Sequence, residues 1–404
     1  MREGWKETTL GEVASVERGV SWSKEQESWQ PVQGAVPVVR IGNVQLSGIA
    51  MSETLYVRNV KKTSIDMKAI LTSTILMVGS NGNPDRVGNV HLAGTNLSGH
   101  LYASFLIGID CGASSLPEFL WMYLQSQAVQ ARISEATAGS TGLKNIRLAW
   151  LRSMVVQIPP LAEQKRIVDV IEAVDAYVAS LESYANAART ARAALLHELL
   201  TTNTQGWKET TLGEVAEVNP KELRLADDAP FIPMDAVKVG KRRVEYTEPR
   251  GSRSGARADS GDVLFARITP CLENGKVAQI QDEIGRCGGS TEFIVIRATT
   301  VLDPALLYLW ATWERTRGTA AQLMTGTTGR QRLAALDLSR LEFLLPPLTE
   351  QKRIVDVIGS VDGAIAGADR AAEDARNLRS GLLSDLLSGD HEIPEGYDEL
   401  LGAA

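Results

Sequence analysis

Three cysteines are all that this 404-residue sequence holds, Cys111, Cys271 and Cys287. Two of them stand sixteen residues apart and the third is remote, which suits neither a zinc site nor a disulfide framework. Small buried or half-buried side chains in a reduced cytosol are the expectation. No stretch approaches the roughly 18 uninterrupted apolar residues of a membrane span. The opening MREGWKETTLGEVA has no apolar core of the secretory kind, so a cytoplasmic setting is expected. Histidine is scarce, and His91 and His100 have no clustered partner, so metal ligation is not expected. Catalytic signatures are missing as well. Gly240-Lys241 and Gly275-Lys276 lack the rest of a phosphate-binding loop, and Val78-Gly-Ser-Asn-Gly is no dinucleotide fingerprint. The two Pro-Pro pairs follow Ile158 and Leu345 and precede leucine. An adenine methyltransferase needs an Asn/Asp-Pro-Pro-aromatic tetrad there. Glu273-Asn-Gly-Lys276 has the wrong spacing for a nuclease. A binding protein is therefore favoured over an enzyme.

A net charge of −7 argues at first sight against a nucleic-acid partner, but the sum hides a partition. Residues 15–157 carry 12 Lys/Arg against 9 Asp/Glu, and residues 217–344 carry 18 against 17. The last stretch, 345–404, carries 5 against 12. Where charge sits, not its total, decides whether a surface attracts phosphate.

What is present is a duplication. Gly4 to Ala14 reads GWKETTLGEVA, and Gly206 to Ala216 repeats it unchanged, 202 residues later. Pro159 to Ile171 reads PPLAEQKRIVDVI, and Pro346 to Ile358 repeats it 187 residues later with one substitution. The same offset aligns Gly139-Ser-Thr-Gly142 with Gly326-Thr-Thr-Gly329. Between these frames the interiors agree only in skeleton. Each has an extended run after a proline (Pro37-Val-Val; Pro230-Phe-Ile) and a buried-strand-like run (Thr74-Ile-Leu-Met-Val; Asp262-Val-Leu-Phe-Ala). Each has a polar glycine loop before a short strand (Arg86-Val-Gly-Asn-Val; Glu273-Asn-Gly-Lys-Val) and an aromatic-rich helix (Phe119 to Leu124; Leu306 to Trp310). Trp121, Tyr123, Tyr308, Trp310 and Trp313 lie on those helical faces and read as core. Constant frames around divergent interiors suggest one shared docking task and two different recognition tasks.

The Pro-Pro pairs suit helix starts, because proline tolerates the first turn, and Glu163 and Glu350 favour the helix dipole there. Apolar or small residues then recur in steps of four and three: Ile167, Ile171, Val174, Val178, Leu181, Ala185, Ala188, Leu195 and Leu199. The second copy runs Ile354, Ile358, Val361, Ile365, Ala368, Ala372, Ala375, Leu382 and Leu386. This is a heptad seam, interrupted at Arg192 and at the equivalent Arg379. About 40 helical residues span roughly 60 Å. Two such helices in one chain most simply pair antiparallel. A weaker echo, Ile393-Pro-Glu-Gly-Tyr-Asp-Glu-Leu, reads as a degenerate third copy of the frame.

These residues resemble the specificity subunit of Type I restriction-modification systems, over nearly the whole chain. The resemblance rests on Pro159-Pro-Leu-Ala-Glu-Gln-Lys-Arg-Ile, Pro346-Pro-Leu-Thr-Glu-Gln-Lys-Arg-Ile and the Gly-Trp-Lys…Leu-Gly-Glu-Val frame. It implies an α+β chain: two mixed α/β target recognition domains and two long spacer helices forming an antiparallel coiled coil, with a pseudo-twofold relation. The implied boundaries are 1–157 and 206–344 for the recognition domains, and 158–205 and 345–404 for the spacers. Each domain would read half of a split double-stranded DNA site, and the helices would set the gap. Two methyltransferase subunits would dock and methylate adenine from S-adenosylmethionine. Restriction and translocase subunits would use ATP and Mg. This chain would hold none of those cofactors.

Candidate DNA contacts follow from side-chain chemistry. In the second interior, Lys238 to Arg257 has a local surplus of +5, with Lys241, Arg242, Arg243, Arg250, Arg253 and Arg257 among glycines and serines in what reads as a flexible polar loop. Arg267 and Lys276 flank the next loop. In the first, Ser80, Asn81, Asn83 and Arg86 form a turn able to meet adenine or guanine, and Arg40 and Asn43 lie on another loop. Lys144 and Arg330 follow the two Gly-x-Thr-Gly motifs and suit backbone phosphates. A coiled-coil scaffold binding only protein is the competing reading, and salt-steep DNA binding separates the two.

Overall fold

The computed structural model describes residues 4–137, 144–221, 224–327, 329–389, 391, 393, 394, 396 and 397. Gly139-Ser-Thr-Gly142, Thr328 and parts of the C-terminal echo lie outside the described residues. The chain forms two compact units, Met1–Ser180 with Ala372–Ala404, and Leu181–Ala371. Each boundary falls inside a long helix, Leu161–Thr201 or Leu348–Ser388, so both helices contribute to both units.

The first unit is built on a four-stranded antiparallel sheet in the order Val90–Leu92, Ile75–Val78, Leu106–Cys111, Ala14–Arg18. A second four-stranded sheet runs Leu101–Tyr102, Val36–Val39, Leu55–Val57, Glu27–Ser28, and its first pair is parallel. The Ile75–Val78 run is buried at every position, as a strand covered on both faces must be. The frame GWKETTLGEVA supplies Lys6–Thr9, which pairs antiparallel with Val155–Ile158 and hands the chain to a one-turn helix, Leu10–Val13. Glu12 caps that turn, accepting from the Thr9 backbone N–H at 3.0 Å and from the Thr8 hydroxyl, which hold its carboxyl below the usual range.

The second unit repeats this plan. Its sheets run Ala216–Val218, Phe293–Ala298, Val263–Ala266, Val277–Gln279, and Glu248–Pro249, Pro230–Ile232, Cys287–Gly289, Ala256–Ala258. The parallel pair recurs, here between Pro230–Ile232 and Cys287–Gly289. Lys208–Thr211 pairs with Glu342–Leu345 in the register of the first copy, and Glu214 makes the same cap on Thr210 and Thr211. The aromatic helices are Pro117–Gln125 and Pro304–Thr312. Tyr123, Tyr308 and Trp310 are buried in them, and Trp121 and Trp313 pack against the cores.

The repeated Pro-Pro motif has an internal task in each unit. Gln164 is fully buried at the start of the long helix. Its Oε1 accepts from the Leu116 N–H at 2.7 Å, and its Nε2 donates to the Ser114 and Pro159 carbonyls at 2.9 and 2.8 Å. Gln351 repeats all three bonds, to Asp303, Val301 and Pro346. One amide thus ties the helix start to the loop before the aromatic helix. Identity of the frames therefore has an intramolecular cause, besides any docking task.

The seam interruptions also have partners. In the second unit Arg192 grips Asp362 with both Nε and Nη2, and Arg189 grips Asp369. As one helix number rises the other falls, so the helices are antiparallel. In the first unit Arg379 grips Asp175 in the same bidentate way. The two pairs are equivalent under the 187-residue offset. A polar pair on an apolar seam specifies register, because any slip strands it against aliphatic neighbours. At the C-terminal echo, Ile393 is buried in the first core and Tyr397 packs against it.

The cysteines are as expected: Cys287 is buried, and burial pushes the Cys111 and Cys287 thiols up to about 12. Among the described residues no helix is long and apolar enough to cross a membrane, and no cluster could hold a metal ion.

Candidate nucleic-acid interface

In the first unit the Ser80–Asn83 turn is fastened from below. Ser80 and Asn81 pair antiparallel with Asn145 and Lys144, bringing Lys144 beside the turn. Ser80 is buried and its hydroxyl donates to Asn145 Oδ1. Asn81 and Asn83 each accept a backbone N–H two residues on, Asn83 at 2.9 Å and Asp85 at 3.0 Å. Their Oδ1 atoms shape the turn, and Asn83 is exposed. Arg86 donates to the Val44 carbonyl and so ties this turn to the Arg40–Asn43 loop. Asn43 itself is buried: it caps the Arg40 N–H at 2.8 Å and donates to the Ala50 carbonyl at 2.9 Å. Its amide is engaged with backbone, so it shapes the loop. Arg40 lies 4.6 Å above the exposed Trp29 ring, with its Nε buried and unpartnered.

In the second unit the fold brings carboxylates that linear spacing could not reveal. Arg243 pairs with Glu283 and Arg250 lies 3.6 Å from Asp227, while Arg253 pairs at 2.6 Å with Glu248 of its own stretch. Arg242 donates twice to Gln279 and stacks on Tyr308 at 5.3 Å. Lys276 donates to the Met234 carbonyl at 3.0 Å. Glu283 and Asp227, both from outside the stretch, reduce its +5 surplus to +3. Nor is the segment loose: Glu248–Pro249 and Ala256–Ala258 are strands, and Arg253 stacks on Phe231 at 4.1 Å. Lys241 and Arg330 are exposed. Exposed ion pairs are weak and exchange partners readily, so the Arg243 guanidinium is not locked to Glu283.

Other cations of this unit line a cleft. A cleft of about 420 Å³ is lined by Asn219, Lys221, Gly255, Arg257, Arg267 and Thr291 among others. Arg257 stands on strand Ala256–Ala258 opposite Gly288. Arg267 has its backbone fixed by bonds to Glu292 and Leu333, and its Nε is buried with no partner. Glu292 sits between two lining residues, but Arg332 holds it through both Nε and Nη2, keeping its carboxyl below the usual range. Sequence reasoning missed Lys221, Arg332 and Glu292. The 187-residue offset could have flagged the last two, because it sets Arg332 against Asn145 and Glu292 against Phe105. Both pairs change chemical character between units.

Gly255 lets the cleft exist. A Cβ there would stand 1.9 Å from the Gly289 carbonyl oxygen, a backbone atom that cannot give. Gly255→Ala should cost about 2 kcal/mol or more by forcing strand Ala256–Ala258 away from Cys287–Gly289. Thermal unfolding checks it, and an unchanged midpoint would show that the sheet edge yields freely.

The model for the Type I restriction modification DNA specificity domain matches residues 2–187 and 204–370. The EcoKI specificity subunit of Escherichia coli strain K12 is 23% identical over 427 residues, covering 96% of this chain and 89% of that one. Two solved structures share the fold at 19% identity. One is a chain from a type I restriction-modification system described for complex assembly and conformational transition, with a TM-score of 0.64 over 96% of this chain and 99% of that one. The other is the HsdS subunit of Thermoanaerobacter tengcongensis, with a TM-score of 0.52 over 96% and 98%.

Proposed function

The chain belongs to the Type I restriction modification DNA specificity family, and on that premise we propose that it reads a two-part, asymmetric DNA sequence, one half with each unit. Specificity subunits recognise DNA and carry no catalysis of their own. Two methyltransferase subunits dock on the chain and methylate adenine from S-adenosylmethionine. Restriction and translocase subunits, with ATP and Mg, act on unmodified DNA. These groups belong to the partners and not to this chain.

One observation carries the reading: the same scaffold presents different chemistry twice. The frames keep the same caps, the same glutamine clamp and the same strand register in both units. The surfaces between them differ, with an Asn-rich turn in one and arginines in the other. A protein with a single partner surface has no need of that divergence.

Mapping methylated adenines in cells carrying the chain with its methyltransferase partner should return a split motif. Arg243→Gln with Arg253→Gln should relax one half of it and leave the other intact, because both residues stand on the second unit and side chains that protrude can reach base edges. Equal relaxation of both halves would contradict independent readers. Binding should weaken steeply with salt, in proportion to the phosphates neutralised. Affinity indifferent to salt would favour a protein scaffold instead.

A further inference from the structure

We propose that Phe105 is a base reader of the first unit, and that its ring meets the methyl group of one thymine in the major groove. The inference rests on the DNA-reading function and specifies one residue and one base feature within it.

Phe105 stands in a turn, 103–106, closed by the Leu106 N–H on the Ala103 carbonyl at 2.8 Å. The Ala103 N–H donates to the Val39 carbonyl at 2.9 Å, and the Phe105 carbonyl accepts from the Gly79 and Ser80 N–H groups at 2.8 and 3.2 Å. Arg18 donates to the Ser104 carbonyl at 3.2 Å. All four residues of the turn are thus held, and Phe105 is 49% exposed. The turn is bonded on one side to the residue before Arg40 and on the other to the residue before Asn81, with Lys144 paired opposite Asn81. Topology therefore sets one aromatic residue among cations and amides that suit DNA.

The second unit builds the same turn with another side chain. There the Phe293 N–H donates to the Ser290 carbonyl at 3.1 Å, the Ser290 N–H to the Ile232 carbonyl at 3.0 Å, and the Arg267 N–H to the Glu292 carbonyl at 2.9 Å. Glu292 occupies the place of Phe105, and its carboxylate is gripped by Arg332, which occupies the place of Asn145. The backbone is kept while the side chain changes from apolar to charged. A residue needed only for the turn has no reason to differ so. A residue that touches the target has one, when the two targets differ.

Which feature of a duplex suits Phe105 follows from chemistry. In the major groove every base pair offers hydrogen-bond donors or acceptors, and only thymine adds an apolar group, its methyl. Asn81, Asn83 and Lys144 can serve the polar edges, and Phe105 suits the methyl. A wedge between stacked bases is the other use of an exposed ring, but a wedge enters the stack, and half of Phe105 is covered by its own fold. A protein partner would bury a contiguous apolar patch, whereas Phe105 follows half-buried Ser104 and adjoins buried Ser80 and the Asn turn. The fixed turn also reduces the conformational entropy lost on binding.

The test uses the full chain assembled with its methyltransferase partner, on duplexes carrying the mapped site. Each thymine in turn is replaced by deoxyuridine, which pairs alike and lacks the methyl. One replacement, in the half read by the first unit, should weaken wild-type binding about fourfold, the worth of one buried methyl group. Phe105→Ala should weaken binding to the unmodified duplex by a similar factor and lose nothing further at that position. In the methylated motif it should accept other bases there, and leave the half read by the second unit unchanged. Phe105→Leu, which keeps an apolar side chain, should retain the sensitivity to the methyl. A first half with no thymine on either strand, or one in which every replacement is neutral, would overturn the assignment. So would losses from Phe105→Ala and from the replacement that add in full. If the wild-type complex showed no sequence-specific binding, the DNA-reading function itself would fall.

Discussion

Gln351→Leu should lower the unfolding free energy of the chain by about 3–5 kcal/mol. Leucine matches the volume and removes a buried polar side chain, which alone would be harmless. The damage falls on the three backbone groups that lose their partner: the Asp303 N–H and the Val301 and Pro346 carbonyls. Each buried group left unsatisfied costs about 1–3 kcal/mol. For a unit of this size the thermal midpoint should drop by roughly 10 °C. Gln164→Leu should do the same to the first unit through Leu116, Ser114 and Pro159. The neighbouring exposed Lys352 serves as the contrast: Lys352→Ala should shift stability by less than about 0.5 kcal/mol. Calorimetry of the full chain separates these cases. Equal losses from Gln351 and Lys352 would remove the intramolecular explanation of the repeated motif. Loss of methyltransferase binding in Lys352→Ala without loss of stability would assign the exposed side of the motif to docking.

The second large effect concerns the gap between half-sites. Seven residues inserted between Asp175 and Arg192, matched by seven between Asp362 and Arg379, should keep both bidentate pairs in register. The matched helices would lengthen by about 10 Å at 1.5 Å per residue. Base pairs rise about 3.4 Å each, so the gap in the methylated motif should grow by about three base pairs while both halves stay the same. The native site should then go unmethylated. A seven-residue insertion in one helix alone should abolish methylation at every site, because it separates Arg192 from Asp362 or Asp175 from Arg379. A matched insertion that left the gap unchanged would end the spacer model.

The register of those helices was half legible in the chain. The apolar seam can be counted by eye, and the interruptions at Arg192 and Arg379 stand out in it. Why arginine is tolerated could not be seen, because Asp362 is 170 residues away and Asp175 lies 204 residues from its partner. The strand-like runs at Ile75–Val78 and Val263–Ala266, and the helices after Pro117 and Pro304, lie where composition placed them. The basic stretch from Lys238 to Arg257 misled in one respect. Counting only Glu245 and Glu248 against it left out Glu283 and Asp227, which folding delivers to Arg243 and Arg250.

The duplication, the two-unit plan and the pairing of two long helices were written in the chain itself, because repeats and periodicity are local properties that survive in one dimension. Which cations face solvent, which grip a carboxylate and which line a recess was decided only by tertiary structure. Electrostatic environment depends on neighbours in space: Lys221, Arg257 and Arg267 are dispersed along the sequence, and only folding brings them to the lining of one cleft.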